Sequence, residues 1–552
     1  MRKENLMNIQ ILPVSSLEKV FRDEQPNAYI KDMTLLCGER GSLQFAFCAD
    51  EDAPVSVCVT SGLPVNVFKI REVYAGLASY EDTDEFVLRG GQSGMYPDVL
   101  IPLTESLCVK KGEWYSVWVE ICPENGCAGQ HTVTCSLIAQ ETTVRASIPV
   151  CVVPAVLAEQ KLICTHWFHS DCLHSYYKVP VFSEEYWRIT ENFVKTAVEH
   201  GINFLLTPLF TPPLDTAVGG ERPTVQLVDV TKKRSGYTFG FEKLDRWIDM
   251  ALRCGVQYFE MSHLFTQWGA KAAPKIMAHT ASGYRQIFGW HTNAASKSYS
   301  DFLEQFAAAL IPWLKEKGIA DRCRFHTSDE PGDDHYYSYR RAAKKMQELF
   351  GEFDSLDALS ELRFYKNGLV RTPVPEEGKI EKFKDKTDEL WTYFCCGQHR
   401  DHLPNRFFCM PHLRSRVMGV LLYLYDVKGF LQWGYNFWYS QYSVREIDPY
   451  TESDAGGAFP SGDSYQVYPA PDGTAFASLR FKVFRDALQD LRLMQQLESL
   501  TDRKTVEKII FKGSKKKKIT FTDYPLDGVW YEELHTRLAS AVAFYAANSS
   551  EE

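Results

Sequence analysis

The chain lacks any apolar run approaching the ~20 residues of a membrane-spanning helix. Met1 to Phe21 likewise carries no apolar stretch of the kind that opens a secretory leader. A membrane protein is therefore not expected, and the reading is cytoplasmic. Positive charge is not in surplus: 61 Lys and Arg stand against 71 Asp and Glu, a formal charge of -10 with no broad basic face. Nucleic acid is accordingly not an expected partner. The 15 cysteines form no C-x-x-C and have no His at zinc spacing. Their one adjacent pair, Cys395-Cys396, reads as core filling. There is no Gly-rich phosphate loop, no Gly-x-Ser-x-Gly elbow, and no triple of His and carboxylate with metal spacing. Hydrolysis by a metal, or by a serine or cysteine nucleophile, recedes, and neither a metal nor another cofactor is expected.

Aromatic residues, by contrast, are plentiful, at 13% with 12 Trp. Such an excess suits a carbohydrate site, because sugar rings stack their C–H faces on aromatic planes, although most Trp simply fill cores. At 552 residues the chain has length for two or three domains. From about Leu35 to Val153 it alternates with period two in short runs broken by turn residues. Examples are Leu43 to Phe47, Val55 to Val59, Trp114 to Val119 and Thr132 to Leu137, a pattern that predicts an antiparallel sandwich.

After Pro154 helical stretches end in Gly and a strand follows at once. Trp187 to His200 precedes Gly201, Leu244 to Cys254 precedes Gly255, and Phe302 to Lys317 precedes Gly318. Further strands are predicted at Ile163 to Trp167, Leu390 to Cys395 and Gly429 to Trp433, and further helices at Arg416 to Tyr425 and Leu479 to Leu497. The fold class expected is α/β: an N-terminal antiparallel β-sandwich followed by a (β/α)8 TIM-type barrel. The boundaries are 1–156 for the sandwich, 157–500 for the barrel and 501–552 for a C-terminal piece. In that last piece Ile509 to Phe511 and Ile519 to Phe521 flank a basic Gly-Ser turn and read as a hairpin, with a helix at Tyr531 to Tyr545 packed on the barrel. An open doubly wound sheet is the alternative, without a phosphate loop to support it.

The chemistry gathers at Arg324 to Pro331. Cys323 and Phe325 alternate like a strand and Pro331 cannot continue a ladder, so Asp329 and Glu330 fall where a strand runs out into a loop. The same residues also suit an acidic turn that opens a helix. The predicted strand ends taken together hold His166, Trp167, His169 and Asp171; Thr207; Glu260, Ser262 and His263; Asp329 and Glu330; Tyr393; and Trp433, Asn436 and Trp438. Two neighbouring acids in a concave site push their pKa values apart, one becoming a proton donor while the other stays charged. Carboxylates among aromatics point to glycosidic bond cleavage. The residues expected to bind the sugar are His166, Asp171, Glu260, His263, Tyr393, Trp433, Asn436 and Trp438.

His326-Thr327-Ser328-Asp329-Glu330-Pro331, Gly429 to Trp438, Pro460-Ser461-Gly462-Asp463, Val467-Tyr468-Pro469, Ser478-Leu479-Arg480, Arg485-Asp486-Ala487 and Gln489-Asp490 occur in matching order. Over roughly His166 to Leu497 the chain resembles glycoside hydrolase family 123. That resemblance implies a sandwich ahead of a (β/α)8 domain and hydrolysis of terminal β-linked N-acetylgalactosamine with retention. It also implies Glu330 as general acid and base, with Asp329 holding the 2-acetamido group. A retaining enzyme with its own nucleophile needs two carboxylates about 5 Å apart on opposite sides of the anomeric carbon, which sequence neighbours are poorly placed to supply. Attack by the substrate's own acetamido oxygen removes that need. Two alternatives stay open: a retaining glycosidase with Glu260 as nucleophile, acting on sugars without a 2-acetamido group, and a non-catalytic carbohydrate-binding barrel.

Overall fold

In the computed structural model, which describes residues 7–549, the period-two runs form two five-stranded sheets. One has the order Ile9–Ser15, Gly41–Ala49, Trp114–Ile121, Val65–Ala75, Gly94–Pro102; the other has Met33–Cys37, Thr142–Val156, Gly129–Ala139, Ala53–Ser61, Leu107–Val109. Pairing is antiparallel except where Met33–Cys37 lies parallel to Thr142–Val156. Leu43, Phe45, Val117 and Val119 of the first sheet share one core with Leu35, Cys135, Leu137 and Val150 of the second.

The opposite face of the first sheet is not solvated. Ser42, Gln44, Ser116 and Glu120 alternate outward as polar residues of a half-exposed strand should, yet all are buried. Gln44, which accepts from Ser116 Oγ, donates to the Ser15 and Glu18 carbonyls, while helix Leu479–Leu500 covers Ser42 and Glu120. Glu120 is bonded there by Lys482 Nζ at 2.8 Å and by the Arg485 guanidinium. Burial alone would raise the Glu120 carboxyl, but the charges of Arg485 and Lys482 outweigh it and hold the group far below the usual carboxylate range. Asp98 faces the same helix and receives Arg480 Nε at 2.8 Å and Nη2 at 2.9 Å, with Tyr468 Oη at 2.5 Å.

Eight short parallel strands follow among the described residues: Ile163–His166, Phe204–Thr207, Tyr258–Met261, Cys323–Phe325, Asp354–Ala358, Thr372–Val374, Trp391–Tyr393 and Gly429–Gln432. The second to sixth form one ladder, and the seventh, eighth and first form another. The ladders meet at two seams, one crossed by Asn203 N–H to the Cys164 carbonyl at 3.1 Å and Cys164 N–H to Asn203 Oδ1 at 2.8 Å, the other by Tyr393 N–H and Thr392 Oγ1 to the Pro375 carbonyl at 3.1 and 3.0 Å. Inward-facing Ile163, Phe204, Leu206, Leu356, Val374, Trp391 and Leu431 pack together between them. The connecting helices Glu184–Glu199, Glu242–Cys254 and Lys297–Glu316 carry buried apolar residues along one side. Gly201 and Gly255 stop the first two at φ of 90° and 98°, as the sequence predicts.

The expected C-terminal hairpin is absent. Arg503–Phe511 is a helix whose first turn is capped by Asp502, which accepts from Thr505 N–H at 2.8 Å. Val506 and Ile510, four residues apart, form its buried face. Ile519 and Phe521 are buried without a strand, Phe521 lying 5.0 Å from the Tyr425 ring. Helix Gly528–Ser549 packs on Leu479–Leu500 and on strands Met33–Cys37 and Thr142–Val156. No helix among the described residues is long and apolar enough to cross a membrane.

Candidate active site

The fourth strand ends at Phe325, and the residues after it are fastened on both sides. Thr327 N–H and Ser328 N–H donate to Asp357 Oδ1 at 3.0 and 3.3 Å, and Glu330 N–H donates to the Ala358 carbonyl at 3.0 Å. On the other side Ser328 Oγ donates to the Thr266 carbonyl at 2.8 Å and Trp268 N–H to the Asp329 carbonyl at 2.9 Å. Successive residues of an extended chain point to opposite faces. Glu330 breaks that alternation with φ of 41°, and Asp329 and Glu330 consequently line the same cavity.

This cavity, of about 160 Å³, is walled by Trp167, Trp268, Tyr393, Trp433, Tyr442 and Phe459, with Leu431 and Ala358 beneath. It falls below the ~300 Å³ at which pockets for drug-sized ligands begin and suits a single small ring. A larger cleft of about 830 Å³ lies between helix Tyr336–Phe350 and residues 365–372, but it contains neither acid.

Glu330 sits at the cavity mouth, where Tyr393 Oη donates to Oε1 at 2.6 Å. Its carboxyl is raised above the ordinary range by the surrounding protein, with the Tyr393 bond pulling down and Glu376 pushing up. Asp329 is raised well above that range, first by burial and then by the neighbouring Glu330 charge, against the pull of His326. The two acids raise one another, so their protons are lost as a pair rather than independently.

Beneath the acids runs a fully buried relay. Glu260 accepts from Thr165 Oγ1 at 2.5 Å and Trp167 Nε1 at 2.6 Å, and its Oε1 lies 2.6 Å from His326 Nε2. His326 Nδ1 lies 3.1 Å from Asp357 Oδ1, and Asp357 accepts from Tyr339 Oη at 2.5 Å. Burial works against a charged ring, but Asp357 and Glu260 overcome it and lift His326 to about 9. His263, His326 and Asp357 are near enough to offer atoms to a metal ion. The chemistry of the set is unsuitable, because His326 already uses both nitrogens as donors.

Of the residues expected to bind sugar, Tyr393 and Trp433 line the cavity, and Trp433 is oriented by donating Nε1 to Asp463 Oδ2 at 3.0 Å. Six others are buried outside it. His166 packs among Phe430, Phe481 and Phe484. Asp171 is held in a two-pronged pair by Arg222 at 2.9 and 2.7 Å. Glu260 is bonded to Thr165, Trp167 and His326 and lies fully buried outside the cavity, whereas the alternative that makes it a nucleophile needs its carboxylate to face the sugar. His263 stacks on His326 at 4.1 Å, Asn436 bonds the His169 backbone, and Trp438 packs on Tyr176 and Phe193. The periodicity that places residues at strand ends does not say which of them turn into the cavity. Asp215, Gln267, Trp268 and Tyr442 line it from loops that carry no motif. Trp167 stands at a predicted strand end and was separable from its neighbours only by its partner Glu260.

Comparison with known proteins extends this description. Comparison with curated protein sequences finds no match. Among solved structures, a family 123 glycoside hydrolase from Clostridium perfringens, described for glycolipid glycan hydrolysis, superposes with a TM-score of 0.74 at 13% identity, covering 99% of each chain. The β-glucuronidases of Parabacteroides merdae and Bacteroides uniformis reach only 0.31 and 0.29, at 10% and 12% identity, over 87% of this chain and 51% and 52% of theirs, too distant to carry an argument. The model of the glycoside hydrolase 123 catalytic domain matches residues 167–497, which include both acids and every wall of the cavity. The chain belongs to glycoside hydrolase family 123.

Proposed function

We propose that this glycoside hydrolase removes a terminal β-linked N-acetylhexosamine, N-acetylgalactosamine by preference, with retention through an oxazoline formed by the substrate itself. The observation that carries the reading is the turn at Glu330, which brings two sequence-adjacent carboxyls into one cavity. Carboxyls so joined are ill placed to flank an anomeric carbon from opposite sides, whereas an acetamido oxygen attacking from within the sugar needs only one acid and one amide partner. The same reading takes the eight parallel strands as one (β/α)8 barrel closed across both seams, with the cavity at the C-terminal ends of the strands.

In this mechanism the substrate's amide N–H donates to Asp329. That bond favours the charged form of Asp329 and moves the pair's shared proton onto Glu330. Glu330 protonates the departing oxygen as the acetamido oxygen attacks C1, and Asp329 stabilises positive charge developing on the amide nitrogen. Glu330, now a carboxylate, then takes a proton from the water that opens the oxazoline.

Glu330→Gln is expected to lose roughly 10² to 10⁴ in kcat on an aryl N-acetylhexosaminide. Asp329→Asn is expected to abolish inhibition by a thiazoline analogue of the oxazoline. A panel of aryl glycosides with and without the 2-acetamido group decides the matter. Equal cleavage of both kinds, or a Glu330→Ala variant as fast as wild type, removes the assignment.

A further inference from the structure

Resting on that reading, a third carboxylate in the cavity has work of its own. Asp215 comes from the segment after the second strand, and its φ of 38° is one that L residues rarely adopt. Such a conformation persists only where the surroundings over-determine it, and here they do. Asp215 N–H donates to Gln267 Oε1 at 2.7 Å, while the Asp215 carbonyl accepts from Ser443 Oγ at 2.7 Å. Gln267 is itself fixed by donating to the Thr216 carbonyl at 3.1 Å. One residue back, the Leu214 carbonyl accepts from Arg222 Nη1 at 3.1 Å, and Arg222 is the buried partner of Asp171. Asp171, expected from sequence to touch the sugar, thus acts one layer behind it.

All this holds a carboxyl with one oxygen occupied and one open. Oδ2 accepts from Tyr442 N–H at 3.0 Å. Oδ1 has no hydrogen-bond partner among the described residues, and the side chain lines the cavity. Burial raises Asp215 to about 6 against the pull of Tyr442 N–H and Arg222, so the group is mostly ionised at neutral pH and can only accept.

We propose that Asp215 reads the far edge of the bound sugar: Oδ1 accepts a hydrogen bond from O3, O4 or O6, and the enzyme therefore requires that hydroxyl to be free. Glu330 and Asp329 take the C1 and C2 edge, which leaves these hydroxyls for the remaining walls. A glycosylated or acylated oxygen has no hydrogen to give, and a sulfated one adds a negative charge facing a carboxylate. Asp215 is in this role a binding and specificity residue, with no part in proton transfer.

The test compares kcat/KM of wild type, Asp215→Ala and Asp215→Asn on an aryl N-acetylhexosaminide and on its 3-, 4- and 6-deoxy analogues. Wild type should lose roughly 10- to 150-fold on one analogue, the range for a hydrogen bond to a charged group. Asp215→Ala should lose a similar factor on the parent and almost nothing more on that analogue. Losses that multiply independently, or no analogue discriminated by wild type, overturn the proposal. A covalent adduct on Asp215 after incubation with a 2-deoxy-2-fluoro glycoside would also overturn it, since Asp215 would then be a nucleophile. If Asp215→Ala fails to fold, Asp215→Asn decides alone, because its amide oxygen can still accept from Tyr442 N–H. If wild type cleaves only glycosides without the acetamido group, the hexosaminidase reading fails, and the deoxy series of that glycoside still decides Asp215.

Discussion

Raising the pH through 9 should weaken the fold by way of one buried imidazole. His326 is fully buried between Glu260 and Asp357 and is raised from 6.5 to about 9. Above 6.5 the unfolded chain has released this proton while the native protein still holds it. The resulting stability is present in full below 6.5 and is lost as pH rises through about 9. The gap corresponds to about 3 kcal/mol, with a limiting slope of about 1.4 kcal/mol per pH unit between the two values. Other groups titrate in the same window. His535, raised by Glu39 and Asp490 against its burial, adds a slope of the same sign, whereas Lys19, lowered by burial to about 7, adds the opposite one. The wild-type curve alone is therefore undecided, and the comparison must be with Glu260→Gln. That variant removes one of the two anions around His326 and lets the ring fall toward its ordinary value. Urea midpoints converted to ΔG at pH 6, 7, 8 and 9 should show wild type losing its advantage over Glu260→Gln as pH rises, by up to about 3 kcal/mol in all. Parallel curves would refute the claim that His326 is held as an imidazolium by Glu260.

Two further outcomes are expected. Tyr393→Phe removes the hydrogen bond that lowers Glu330, so the basic limb of the kcat/KM profile should move to higher pH on an N-acetylhexosaminide; an unmoved limb would count against Glu330 as the proton carrier. Asp98→Asn leaves the buried Arg480 without its countercharge and should cost about 3–5 kcal/mol in urea unfolding, while Asp98→Leu combined with Arg480→Met should cost less. A double variant as damaged as the single would show that the pair contributes more than charge balance.

Regular periodicity made much of the architecture legible. The alternating runs became the two N-terminal sheets, and the Gly-stopped helices lie where they were expected. Two of the eight strands escaped because their sequences lack a strand pattern. Asp354–Ala358 has Leu356 as its one large apolar residue, and its Asp357 turns inward to His326. Thr372–Val374 is three residues long with a central Pro373. The C-terminal hairpin was misread because two short apolar runs around a Gly-Ser turn resemble strands, while the capping Asp502 lies several residues before the first run. The acids at 329 and 330 were legible as a strand end followed by Pro. Their shared direction was not, since it depends on a backbone angle that no composition encodes.

The motifs that carry the family resemblance divide by what they touch. His326 to Pro331 builds the acid pair, and Trp433 and Asp463 build one wall. The segment from Ser478 to Asp490 is different: Arg480, Lys482 and Arg485 are spent on Asp98 and Glu120 of the first N-terminal sheet, and Asp490 binds Arg416 and His535. Charges buried this thoroughly are poor sources of net stability, because desolvation offsets most of what they gain by pairing. What they fix well is register, since a sheet displaced along the helix by one residue would leave several of them unpaired. On this argument the sheet is locked to helix Leu479–Leu500. The same helix packs on Met418–Leu424, which runs into the eighth strand and so to Trp433 at the cavity. A second route is shorter, since Ser453 Oγ donates to the Tyr74 carbonyl and Tyr80 Oη to the Ala458 carbonyl beside Phe459, so the N-terminal region braces the cavity from two directions without contributing a side chain to it.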